Sequence, residues 1–203
     1  MRSETVSIPI GDRGCVSAVL SLPDGPERKT AVIIAHGAGN DLNSPLLVHL
    51  SEGLAEGGHM ALRFNFIYRE KGKRAPDRPD VLSATWRSVH QYLISRPECE
   101  TRPVIAAGKS MGGRIASQMV SEGSLPVDRL ILLGYPLHPP GKPEKLRDAH
   151  LYSIRIPMLF FAGSRDPLCD AGKLEKVLAG LKAPWELETI DGGNHSFRIP
   201  KAM

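Results

Sequence analysis

The residues with the clearest chemical promise are Gly108-Lys109-Ser110-Met111-Gly112. They follow a short apolar run at 104–107 and precede a helical pattern at 114–120. A serine between two glycines, in a tight turn from strand to helix, is the setting of a nucleophile elbow. Gly108 and Gly112 lack a Cβ, so backbone can pass close to backbone around a strained serine. The following helix points the positive end of its dipole at charge developing there. The plainer reading of the same pentapeptide is a serine in a Gly-rich turn.

A serine hydroxyl is a weak nucleophile at neutral pH. It needs a base within hydrogen-bond reach, and the base needs an orienting acid. Asp166 stands just past the apolar run 157–163, and His195 follows the run 185–190 through Asp191-Gly192-Gly193-Asn194. Asp170 is a competing carboxylate, but it can cap a helix running to about residue 181, and Asp166 is nearer the strand end.

The elements around these residues define a fold class. Residues 5–10 and 16–20 alternate polar and apolar about a Gly11-Asp12-Arg13-Gly14 turn, the pattern of an antiparallel hairpin. Residues 31–35, 59–66, 104–107, 129–134, 157–163 and 185–190 read as further strands, several of them continuously apolar like strands buried on both faces. Helical spacing over 44–56 and 80–96 falls between them. The alternation predicts an α/β fold: a mostly parallel central sheet with an N-terminal antiparallel hairpin and helices on both faces. Sites in such sheets lie beyond the carboxyl ends of the strands. Ser110, Asp166, His195 and the His36-Gly37-Ala38 stretch all fall there.

Composition sets the outer limits. A chain of 203 residues, 41% hydrophobic, suits one domain over 1–203 with a sizeable core. A net charge of +4 is too mild to imply nucleic acid. No apolar run approaches the roughly 18 residues of a membrane helix, and Met1-Arg2-Ser3-Glu4 lacks a signal peptide's apolar core. Cys15, Cys99 and Cys169 show neither metal spacing nor a disulfide framework, so a cytoplasmic location is expected. Residues 67–79 carry Arg69, Lys71, Lys73, Arg74 and Arg78 against Glu70 and Asp77, and read as an exposed loop. A sharper reading has that loop recruit an anionic substrate or partner. Lys109 reads as a solvated surface lysine, and His59, His138 and His150 as structural or solvated.

The chain order Ser110, Asp166, His195 is that of α/β-hydrolases, and the chain resembles that superfamily over essentially its whole length. The resemblance implies Ser110 as nucleophile, His195 as general base and then acid, and Asp166 as the group orienting His195. It implies an oxyanion hole from the N–H groups of Met111 and Ala38, with His36 and Gly37 beside the substrate and His36 supporting the loop by hydrogen bonding. It implies no metal and no organic cofactor. The substrate would be a small ester or thioester, with neither nucleic acid nor membrane as partner, and the protein a monomer or homodimer. Large lids in this fold sit where this chain has the Pro-rich stretch 135–156. A shallow, open site follows, with Tyr135, Leu137 and Pro139 as its acyl-side wall.

More narrowly, His36-Gly37-Ala38-Gly39, residues 108–114, 135–143 and 193–197 resemble small dienelactone-hydrolase-like serine hydrolases. That branch includes a eukaryotic subunit of the NSL histone-acetyltransferase complex. Dienelactone hydrolases proper carry cysteine at the elbow, so Ser110 is a departure that favours ordinary ester chemistry. The eukaryotic relative keeps a non-catalytic interaction module open as an alternative, and the same machinery also serves acyl transfer. Members commonly carry a further helix after the base. Its absence from this sequence is open to three readings, a natural ending, a shortened chain or an omitted tail, and an uncovered apolar face could favour dimerisation.

Overall fold

A computed structural model describes residues 1–25, 30–100 and 102–199. The N-terminal alternation forms β1 (Arg2–Pro9) and β2 (Cys15–Leu22), paired antiparallel with Val6 opposite Ala18. The apolar runs form β3 (Ala31–Ala35), β4 (Met60–Phe64), β5 (Val104–Lys109), β6 (Arg129–Leu133) and β7 (Met158–Gly163), and β8 (Trp185–Ile190) closes the sheet. The order across the sheet is β1-β2-β4-β3-β5-β6-β7-β8. β2 meets β4 antiparallel, and every pairing from β4 to β8 is parallel. β3 and β4 are buried at all five positions, β3 through an unbroken apolar run, and in β4 the buried Arg63 donates to the Leu42 carbonyl and Ser51 Oγ.

Helices cover the two faces unequally. α3 (Pro79–Ile94), α4 (Met111–Ser121) and α5 (Ala171–Ala179) bury Trp86, Leu93, Ile115, Met119, Leu174 and Leu178 in the larger core. On the opposite face α1 (Pro45–Glu56) covers a small cluster of Val32, Ile34, Leu47, Ala61 and Ala107. Beyond it Ile105, Ile131 and Leu159 stay half-buried, and Glu186 and Glu188 of β8 are exposed. Among the described residues β8 is an edge strand, paired only with β7.

The segment 67–79 departs from its reading as an exposed loop. It opens with a short helix, α2 (Ile67–Glu70), in which Ile67 and Tyr68 are buried. Arg69 is ion-paired to Asp41 at 3.2 Å, and Glu70 accepts from Ser17 and Asn65. An apolar Ile-Tyr pair three residues past the end of β4 anchors the start of a stretch whose remaining cations are exposed.

Candidate active site

Ser110 is the turn itself. It has φ 51° and ψ −113°, one of two non-glycine residues with positive φ among those described. The conformation costs of order 1–3 kcal/mol and persists only where the surroundings impose it. Here they do. A Cβ on Gly108 would lie 2.2 Å from the nitrogen of Gly113, and one on Gly112 would lie 2.7 Å from both the Cβ of Ala35 and the carbonyl oxygen of His36. The Ser110 N–H donates to Leu133 at 2.9 Å, and the indole N–H of Trp86 donates to the Gly112 carbonyl at 3.2 Å. The core's largest buried side chain therefore holds the turn from behind.

Asp166 and His195 come from neighbouring strand ends. The backbones run so close that a Cβ on Gly163 would lie 2.3 Å from the carbonyl oxygen of Gly193. The Arg165 N–H donates to that same carbonyl at 2.9 Å. Asp166 is fully buried at its side chain. Its Oδ1 accepts from the Leu168 N–H at 2.8 Å, and its Oδ2 lies 2.7 Å from His195 Nδ1. His195 Nε2 lies 2.9 Å from Ser110 Oγ. A carboxylate only accepts, so Nδ1 carries the imidazole proton and Nε2 is left to accept from the serine. Asp170 caps α5 through the Lys173 N–H, as its spacing predicts, and Asp191 binds Ser164. Neither competes for His195.

The Met111 N–H opens α4, where no carbonyl one turn back can take it. Ala38, Ser110 and Met111 line one cleft of about 300 Å³, with Pro76, Asp77, Pro79, Leu82, Arg114, Pro136, Arg147 and Leu168. A Cβ on Gly37 would lie 3.4 Å from that of Ser110, so Gly37 packs directly against the turn. His36 does not face the cleft. It is fully buried, accepts from the Phe66 N–H at Nε2 (3.2 Å) and donates from Nδ1 to the Gly37 carbonyl (2.8 Å). Burial lowers its pKa to about 4, so it stays neutral and fixes the loop.

Three expectations need correcting. Tyr135 and Leu137 do not wall the cleft: they are 2% and 0% exposed, and Pro136 between them is the residue that lines it. The backbone turn after β6 sends both flanking side chains inward. They act one layer back, where Tyr135 Oη donates to the Arg147 carbonyl and the Leu137 carbonyl accepts from the Arg147 N–H. The cations of 67–79 do not line the cleft either; that segment contributes Pro76, Asp77 and Pro79. Lys109 is no surface lysine. It is 6% exposed, and its ammonium lies 5.4 Å from the centre of the Phe197 ring without a hydrogen-bond acceptor among the described residues. Burial pulls its pKa down to about 8 against the opposing pull of Asp166. Sequence reasoning missed it because the turn 194–198, which folds over it, is remote in the chain.

His150 and His138 are structural, as read: His150 Nε2 lies 2.8 Å from Ser117 Oγ, and His138 Nδ1 3.0 Å from the Pro139 carbonyl. Among the described residues no three His, Cys, Asp or Glu side chains gather at metal-binding distance.

A mostly parallel sheet with serine, histidine and aspartate linked at its carboxyl ends marks a serine hydrolase of the α/β type. A family model described as an alpha/beta hydrolase domain matches residues 28–203, and the chain belongs to that family. Solved structures share the fold. A dienelactone hydrolase from Anabaena variabilis superposes with a TM-score of 0.79 at 22% identity, over 99% of this chain and 91% of that one. Est1E from Butyrivibrio proteoclasticus, with ferulic acid bound, gives 0.79 at 20% identity over 95% and 91%. An α/β serine hydrolase without a lid from Xanthomonas campestris gives 0.74 at 20% identity over 97% and 87%. No described helix is long and apolar enough to cross a membrane.

Proposed function

We propose that the protein hydrolyses small carboxylic esters or thioesters through an acyl-enzyme on Ser110. His195 takes the hydroxyl proton as Ser110 Oγ attacks the carbonyl carbon. The carbonyl π bond opens to an oxyanion received by the N–H groups of Met111 and Ala38. Collapse of this intermediate expels the alcohol or thiol, which takes the proton from His195. Water, deprotonated by His195, then attacks the acyl-enzyme, and Ser110 leaves with that proton. Asp166 keeps the imidazole in the required tautomer and stabilises its charged form. Each oxyanion donor is worth roughly 3–4 kcal/mol by analogy with a serine protease.

The observation that carries this reading is the pair of contacts on one imidazole, 2.9 Å to Ser110 Oγ and 2.7 Å to Asp166 Oδ2. The test is covalent labelling by a fluorophosphonate, together with hydrolysis of simple esters. The parent protein is expected to label and turn over, and Ser110→Ala to do neither. Equal labelling of both proteins would overturn the assignment.

A further inference from the structure

Two arginines, Arg114 and Arg147, line the cleft with the nucleophile. Arg114 sits four residues after Ser110 on α4, its N–H donating to the Ser110 carbonyl at 3.0 Å. Both residues line the same cleft. Arg147 arrives from the loop between β6 and β7, its backbone held by the Leu137 carbonyl and the Tyr135 hydroxyl. That hydroxyl and Ser117 Oγ both contact His150, so the segment carrying Arg147 is cross-linked to α4.

Both cations are poorly compensated. Arg114 gives one N–H to Gln118 at 3.1 Å. No carboxylate comes within 4 Å of either guanidinium among the described residues. Half-burial and the repulsion of Arg147 lower the basicity of Arg114. The cleft's own carboxylate, Asp77, has a buried Oδ2 that bonds to neither arginine. Asp148 is turned to Tyr152, which donates to its Oδ2 at 3.3 Å. Two like charges held beside a reaction centre by a cross-linked scaffold form a preorganised anion subsite, since a carboxylate between them relieves the repulsion and matches the guanidinium fork.

We infer that Arg114 and Arg147 bind a carboxylate on the substrate, a few bonds from the scissile carbonyl, so that the preferred substrates are monoesters of short dicarboxylic acids. This rests on the hydrolase reading above and names the substrate class for that site. The positive charge that the sequence suggested in the loop 67–79 is thereby assigned to different residues.

The experiment compares monoethyl glutarate with ethyl pentanoate, near-isosteres differing in the carboxylate, by ethanol release. The parent enzyme is expected to show kcat/KM at least tenfold higher for the anionic ester, a ratio that shrinks as sodium chloride is raised. In Arg147→Gln and Arg114→Gln that ratio is expected to fall tenfold or more, mainly through KM, and Arg147→Lys to restore part of it. A ratio at or below one in the parent, or one unmoved in both glutamine variants, would overturn the inference. If neither ester is cleaved and fluorophosphonate does not label, the hydrolase reading fails instead. The subsite is then judged by calorimetry with free glutarate: binding that weakens in Arg147→Gln supports it, and no binding to the parent refutes it.

Discussion

At the scale of the residue, the site depends on which atom of His195 carries a proton. Asp166 Oδ2 fixes it at Nδ1, while Oδ1 is occupied by the Leu168 N–H. In Asp166→Asn the amide oxygen can keep the Leu168 bond, which turns an NH2 group toward His195. The imidazole then accepts at Nδ1, carries its proton at Nε2, and cannot receive one from Ser110. Ester turnover is expected to drop by roughly three to four orders of magnitude with an unchanged melting temperature; a loss below tenfold would point to another acid. Lys109 gives a prediction about stability. Its pKa is near 10.5 in the unfolded chain and about 8 in the folded one. Between those values the unfolded chain binds the proton more tightly. The destabilisation is therefore complete below pH 8 and fades as pH rises toward 10.5. Lys109→Met is expected to exceed the parent in unfolding free energy at pH 7 by up to about 3 kcal/mol, with the gap closing near pH 10. A gap independent of pH would show that the ammonium is not its source.

At the scale of the element, the strand-turn-helix around Ser110 was legible because its constraints are local. Two glycines, an apolar run before and a helical period after leave little freedom. Gly112→Ala tests that constraint, since its new Cβ would meet Ala35 and His36 at 2.7 Å. A loss of about 1–3 kcal/mol in denaturant unfolding is expected, the usual cost of overpacking. An unchanged midpoint would mean that β3 can move aside. Other parts were not legible for the opposite reason. Tyr135 and Leu137 sit in a stretch without periodicity, and their inward direction depends on where Arg147 is pinned, ten or more residues away. The short helix α2 escaped notice because five cations outweighed two apolar side chains. Gly163, which lets the Asp166 and His195 loops touch, has no local signature beyond ending a strand.

At the scale of the whole molecule, the sheet order followed from the alternation of elements, and the three reactive residues fell at one edge because parallel strands all end there. Ile105, Ile131 and Leu159 are only half-buried, and α1 shields the other end of that face. The asymmetry has a consequence for how the enzyme fails. His195 hangs five residues past β8, which among the described residues has a neighbour on one side only and buries none of its six residues, whereas the Ser110 turn is held by the Trp86 bond to Gly112. Opening the β8 margin costs less than melting the centre. Heating should therefore abolish turnover before it unfolds the protein. Trp185→Phe leaves Trp86 as the sole tryptophan, and its emission under tryptophan-selective excitation is expected to hold steady through the temperatures at which catalysis disappears. Coincident midpoints would mean that margin and centre come apart together.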